Sequence, residues 1–455
     1  MTEKELLELE SKYCSYGDTV HYLEHPNIFS RCDGSWLYDM NDTPYLDVQM
    51  WYSAVNFGYR NREIEAVHDL QMKTLPQVAS QYLHKEKILL AASIAKETEK
   101  RFGEKGRVHF NVGGSQAVED SMKLVRNFKH GKSLSLAFMG GYHGRTLAAT
   151  EITSSFRYRK RYGHFSNRAN FIPFPYCYRC FYGLKRTECG YECIRQFEKL
   201  FETEYYGVID KKDNEVEYSA FYMEPLQATG GYIVPPPEYF AKMSAILKKY
   251  DILLVDDEIQ MGFYRTGKLW AAEHFGFKPD VVTFAKSLTN GLNPLSGLWA
   301  REELISPSVF PAGCTHSTFS SNPLGTAAGL AVMEYVKKND FEKMVAEKGA
   351  YMLGRLKELK KKYSVIGDVD GIGLALRIEM TKADGYTPDR GLTDAIFQEG
   401  MKGHIDVRGK KYGLVLDVGG YYKNVFTLAP ALTITYEEID LFAELFESLV
   451  KRCGA

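Results

Sequence analysis

The sequence carries almost no net charge, no long apolar run and no repeat, and each absence removes a class of function. Lys and Arg number 57 against 58 Asp and Glu, a formal charge of −1 at pH 7. That balance leaves no broad basic or acidic surface to hold nucleic acid or a charged membrane. The apolar stretches at residues 88–95 and 252–255 fall far short of the roughly 18 residues that span a bilayer. Residues 1–13 are charged and helix-prone, without a basic start and apolar core, so no secretory leader is expected and a soluble, cytoplasmic protein is. Low-complexity tracts and Gly/Ser linkers are missing, and Pro235-Pro236-Pro237 reads as a turn before a helix at Glu238–Tyr250. What is present is an ordinary globular balance, 45% hydrophobic and 25% charged over 455 residues, enough to bury a large core.

Cysteine is also sparse, eight in the whole chain, and reads as reduced thiol rather than a disulfide framework. Four residues cluster as Cys177-x2-Cys180-x8-Cys189-x3-Cys193, and the outer spacings suit a structural zinc site. No histidine lies among them. The expectation is a loop stiffened by Tyr, Phe and Gly around partly buried thiols, with no metal.

The middle of the chain alternates β-branched or aromatic runs with helical stretches, the pattern of βαβ units and a mostly parallel sheet. Strands are expected at Arg107–Val112, Ser133–Phe138, Ala220–Glu224, Ile252–Val255, Val281–Phe284 and Leu295–Ala300. The C-terminal part reads as a smaller α+β unit. It has a helix at Asp340–Lys362 and a closing helix that starts from a capping box, Thr435 with Glu438, ahead of the stripe Ile439, Phe442, Phe446 and Leu449.

Three strand exits carry the chemistry. At Phe110-Asn111-Val112-Gly113-Gly114-Ser115-Gln116 an apolar strand breaks into glycines before a helix. Open backbone amides and the positive end of the helix dipole make a phosphate cradle there, although a Gly-Gly turn is often mere punctuation. At Ile252-Leu253-Leu254-Val255-Asp256-Asp257-Glu258 a buried-type strand ends in acids, where open parallel sheets bind ligands; surface acids at a solvated strand end would look the same. At Val281-Val282-Thr283-Phe284-Ala285-Lys286 the exit is a lysine. Desolvated, it is a nucleophilic amine suited to an aldehyde; otherwise it snorkels to water. Cradle, acid and lysine together are what pyridoxal phosphate (PLP) requires.

The order of these segments resembles the class III PLP-dependent aminotransferases of fold type I, the ornithine, acetylornithine, 4-aminobutyrate and ω-amino-acid aminotransferase group. The likeness is densest at Asp257-Glu258-Ile259-Gln260-Met261-Gly262-Phe263-Tyr264-Arg265-Thr266-Gly267 and extends from Tyr45-Leu46-Asp47 to Leu428-Ala429-Pro430. It implies an α/β fold: a large PLP-binding domain with a mostly parallel sheet flanked by helices (61–334) and a smaller α+β domain (1–60 with 335–455). It further implies that Lys286 forms an aldimine with the cofactor and moves a proton, and that Asp257 pairs with the pyridine nitrogen. Gln260 would lie near the ring hydroxyl, Tyr142 would stack on the ring, and Gly114 and Ser115 would hold the phosphate. His143 and Glu224 complete the cofactor set. Thr318 would reach the phosphate of a neighbouring subunit, making a homodimer, or a tetramer built from it, the catalytic assembly. Tyr52, Trp51 and Arg145 are the implied substrate contacts.

Two departures stand out. Where many members pair a glutamate with an arginine that reads the α-carboxylate of glutamate or 2-oxoglutarate, this chain has Thr229 and Thr427. Losing both is coherent, because either charge alone would be buried and unpaired. Gly113 and Gln116 replace the common Ser and Glu beside the cradle. The expected activity is transfer of an amino group from an amine or (ω-)amino acid to a 2-oxo acid. Amino-acid racemisation or epimerisation, and then β-elimination, are the alternatives on the same scaffold.

Overall fold

The computed structural model describes residues 1–15, 17, 26–162 and 168–454. Its centre is a seven-stranded sheet: β1 Gly106–Asn111, β2 Leu134–Phe138, β3 Ala169–Ile172, β4 Tyr218–Met223, β5 Leu253–Asp257, β6 Val281–Phe284 and β7 Ser296–Arg301. The spatial order is β3-β2-β4-β5-β6-β7-β1. Strand β7 alone runs against its neighbours β6 and β1; the other pairings are parallel. Every residue of β4 and β5 is buried, because helices cover both faces, and this is why these strands read as unbroken apolar runs. The six expected strands are all present within a residue or two. The strand not anticipated is β3, a short edge strand whose residues are mostly half-exposed, so it carries little apolar signal.

The helices follow their sequence signals. Asp340 caps Phe341–Lys362, and Thr435 and Glu438 form the expected capping box at the head of Tyr436–Cys453. The C-terminal part adds a four-stranded antiparallel sheet, Ile366–Ile372, Ala375–Met380, Val425–Leu428 and Asp417–Gly419. A further sheet joins the two ends of the chain, with Pro44–Asp47 lying parallel to Lys410–Val415.

Cys177, Cys180, Cys189 and Cys193 converge on one void of about 20 Å³ walled by Phe and Tyr rings. Among the described residues no three His, Cys, Asp or Glu side chains are arranged to hold a metal ion. Burial pushes the Cys193 thiol up to about 11.

Side chains alternate along β5. Leu253 and Val255 pack with Val118 and Met122 of the helix Gly114–Phe128, and Asp257 shares their side. Asp256 and Glu258 point the other way, both fully buried. Glu258 accepts the Ala272 amide at 2.9 Å, yet both Asp256 oxygens and Glu258 Oε2 lack a hydrogen-bond partner among the described residues. Burial pushes Glu258 from 4.5 up to about 8, and burial with the neighbouring Glu258 raises Asp256. The folded chain therefore holds protons that the unfolded chain releases, so stability declines as pH rises from about 4.5 to about 8. An Asp256→Asn variant is expected to unfold later than the parent at pH 8, by about 1–3 kcal/mol, and to show a flatter fall across that range. Denaturant melts at several pH values measure both; parallel curves for parent and variant would contradict it.

Candidate active site

The carboxyl ends of β5 and β6 and the first turn of the helix after β1 open into one cavity of about 360 Å³. It is lined by Gly114, Ser115, Tyr142, His143, Glu224, Asp257, Gln260 and Lys286, with Trp51 at its edge. Residues as far apart in sequence as Gly114 and Lys286 meet here because parallel strands end on the same side of a sheet.

Lys286 leaves β6 at φ 43, a left-handed conformation that non-glycine residues adopt only when their surroundings hold them there. Its Nζ donates to Gln260 Oε1 at 2.7 Å, and Gln260 Nε2 donates to the Tyr232 hydroxyl at 2.7 Å. Burial draws the Lys286 amine down to about 8, against the pull of Asp257, Glu224 and Asp417. Desolvation wins because an ammonium loses more hydration than these carboxylates return.

Asp257 is 5% exposed. His143 Nδ1 donates to its Oδ2 at 2.8 Å, while Thr283 Oγ1 and the Ile259 amide donate to its Oδ1, each at 3.2 Å. Burial alone would lower His143, but the bond and charge of Asp257, helped by Glu224, carry it above the usual histidine value. His143 thus stands as a donor directly against the Asp257 carboxylate. Glu224 accepts the amides of Tyr142 and Ala228 at 2.9 Å each, and burial raises it to about 7.

The cradle is built from backbone. The first intrahelical bond runs from the Ala117 amide to the Gly113 carbonyl, so the amides of residues 114–116 precede the helical ladder. Gln116 Oε1 takes the Gly113 amide at 3.1 Å, which makes the departure at that position a cap. Ser115 Oγ accepts the Arg145 amide at 3.2 Å. This closeness needs glycine at 144, where φ is +132 and a Cβ would sit 2.3 Å from Ser115 Oγ.

Across the cavity, Met50, Trp51, Tyr52 and Ser53 all have positive φ, a turn that costs roughly 1–2 kcal/mol per residue. Asp47 holds it, accepting the amides of Gln49 and Met50 at 2.7 and 2.8 Å and the Tyr59 hydroxyl at 2.7 Å. The turn sets Trp51 against the cavity. Tyr52 and Arg145 lie outside the lining; Arg145 Nε donates to the Tyr142 hydroxyl at 3.2 Å, and its guanidinium lies over the Tyr158 ring. Thr318 is exposed and away from the cavity of its own chain. Thr229 Oγ1 donates to the Gly140 carbonyl at 3.2 Å and Thr427 Oγ1 to Asp417, so neither position supplies a cation. Sequence reasoning did not single out Tyr232 or Asp417. Both come from segments without a strand-exit signature.

Residues 19–450 match the family model described as aminotransferase class-III. The chain belongs to that family. It is 32% identical to the leucine/methionine racemase of Thermococcus litoralis, over 97% of this chain and 94% of that one. It is 30% identical to the taurine–pyruvate aminotransferase of Bilophila wadsworthia, over 96% and 94%. A solved amine transaminase from an uncultivated Pseudomonas species, in its PLP-bound form, superposes with a TM-score of 0.84 at 25% identity, over 96% and 97% of the two chains. The fold is that of the type I PLP-dependent transferases, and PLP is the cofactor of this class III aminotransferase. The residues fit that group: open amides and a glycine-bounded hollow suit a phosphate, a desolvated amine suits an aldehyde, and a buried carboxylate suits a protonated ring nitrogen.

Adding one methyl group tests the cradle. Gly144→Ala is expected to weaken PLP binding about tenfold or more, in line with an overpacking cost of about 1–3 kcal/mol. Titration of apo protein followed by its visible band reads this directly; unchanged affinity would mean that Ser115 does not face the phosphate.

Proposed function

We propose that this class III aminotransferase moves an amino group from an amine or (ω-)amino acid to a 2-oxo acid, with Lys286 as the nucleophile and proton carrier. The observation that carries this reading is a desolvated Lys286 and a buried Asp257 lining one cavity beside a helix N-terminus. When bound, PLP provides a ring that accepts the electron pair left at the substrate carbon. Asp257 keeps the ring nitrogen protonated, and His143 holds Asp257 in place. Gln260 serves the ring hydroxyl, Tyr142 covers one ring face, Glu224 borders the site, and Gly114 and Ser115 bind the phosphate. The amine of Lys286 would hold the aldehyde, and when not engaged with it would carry the proton.

Trp51, Tyr52 and Arg145 form the substrate side, where the planar Arg145 fork suits a carboxylate. Thr318 serves the phosphate of a second copy, so that the working unit is a homodimer in the cytoplasm. Residues 61–334 make the PLP-binding domain, and 1–60 with 335–455 the smaller one. No described helix is long and apolar enough to cross a membrane.

A second reading, amino-acid racemisation, is favoured by two observations: Thr229 and Thr427 replace the charged pair that serves two carboxylate substrates in turn, and a racemase is among the relatives at 32% identity. One enantiomer incubated with and without a 2-oxo acid separates the two. Transamination consumes the acceptor and stalls without it, whereas inversion without an acceptor would overturn the leading reading.

Lys286→Ala is expected to remove turnover and the borohydride-sensitive visible band while the fold persists; near-normal activity would displace Lys286 as nucleophile. In the parent protein, capture of PLP by apo enzyme should speed up as pH rises through about 8, where the amine loses its proton. A rate independent of pH between 7 and 9 would contradict this. Arg145→Ala should raise KM for carboxylate donors about tenfold or more, the worth of a charge-assisted hydrogen bond, and leave simple amines unaffected.

A further inference from the structure

The helix Gly114–Phe128 begins at the cavity, but its later turns hold something else. Thr315 Oγ1 donates to Asp120 Oδ1 at 2.7 Å, Lys123 Nζ donates to the Cys314 carbonyl at 2.8 Å, and Asn127 Nδ2 donates to the Val309 carbonyl. Positions 120, 123 and 127 share one helix face, so the helix grips the segment 309–315 along a single stripe. Asp120 is the hub. Its Oδ2 accepts Asn111 Nδ2 at 2.6 Å and stands 3.1 Å from His109 Nε2, both from β1. Asn111 Oδ1 in turn accepts Ser317 Oγ at 3.2 Å.

The Asp120 carboxylate is only 4% exposed. Burial would raise it, yet bonds from His109, Asn111 and Thr315 hold it below the ordinary carboxylate range. A buried charge is tolerable when each lone pair has a donor, and here one of those donors belongs to the loop. Immediately beyond the two anchored residues, Thr315 and Ser317, the chain turns back through the Ser317 amide to Ser320 Oγ at 2.7 Å. Between Ser317 and Ser320, Thr318 and Phe319 project into solvent, Phe319 at 71% exposure.

We propose that Asp120 is a positioning residue that fixes the Thr318 tip for use by a second subunit. This rests on the reading in which Thr318 completes the partner's phosphate site. One helix then serves two sites: residues 114–116 bind phosphate in their own subunit, and Asp120, less than two turns on, sets the residue offered to the other. The effect of losing Asp120 falls on the neighbouring cavity, not on the cavity its own helix begins.

Mixed dimers test this. A Lys286→Ala subunit gives no visible band with PLP, so a dimer of one such subunit with one Lys286-bearing subunit reports a single site. With Asp120→Ala placed on the Lys286→Ala subunit, PLP affinity at the reporting site of the other subunit should fall about tenfold, the worth of a lost charged hydrogen bond. With Asp120→Ala placed on the reporting subunit itself, affinity should stay within about twofold of the parent, and Asp120→Asn, which still accepts from Thr315, should restore most of the loss. A loss confined to the reporting subunit's own Asp120→Ala, or no loss in either arrangement, overturns the proposal. Sedimentation of the parent keeps the two readings apart: a monomer overturns the shared site and this inference together, whereas a dimer with unaffected affinity overturns the inference alone.

Discussion

An amine kept away from water is the constraint that the rest of this site serves. Lys286 sits in a cavity where burial alone would strip its proton, and Asp257, Glu224 and Asp417 partly restore it. The balance lands near 8, close to working pH, where an amine is both available as a nucleophile and able to carry a proton back. Neither influence would suffice alone. A fully solvated lysine stays protonated, and one buried without acids nearby gives up its proton too readily to return it.

The same carboxylates need holding, since Asp257 and Glu224 are buried and Asp417 half-buried. Asp257 receives His143, Thr283 and the Ile259 amide; Glu224 receives two backbone amides; Asp417 receives Thr427. The polar groups are thus arranged in pairs that cross elements, and the strained backbone at Lys286 and at residues 50–53 is the geometric cost of aiming side chains inward. Asp256 and Glu258 show the opposite case. Placed on the far side of β5 by simple alternation, with few partners, they are pushed toward their neutral forms by burial.

Much of this was legible in sequence, for a definite reason. Parallel strands buried on both faces must be apolar along their whole length, so the point where Leu253-Leu254-Val255 gives way to acids, or Val281–Phe284 to Lys286, marks a strand end and a ligand-binding edge at once. The closing helix was legible through its cap, Thr435 with Glu438. Legibility ended where long-range contacts decide. Strand β3 is a half-exposed edge with little pattern, and the left-handed turn at Met50–Ser53 contains no glycine to announce it, being held from outside by Asp47. Tyr232 reaches Lys286 only through Gln260, and Asp417 only through its charge, because a loop after β4 and a C-terminal strand fold close to them, and no local motif encodes that packing.

The substitution of threonine at 229 and 427 follows from the same electrostatics. An arginine in the interior must be neutralised by a dedicated acid when its ligand is absent, which is the purpose of a glutamate partner. Here Thr427 is bonded to Asp417, and Thr229 to the Gly140 carbonyl, so both positions are satisfied without charge. Under the proposed function the carboxylate of a substrate is then read at the rim by Arg145, whose guanidinium already has the Tyr142 hydroxyl and the Tyr158 ring as neighbours. Arg145 is exposed, so a cation there keeps much of its hydration between turnovers. It also discriminates less sharply than a buried one, because water competes for it. A site built this way suits one carboxylate held in one manner, with specificity left to the shape of the cavity around Trp51.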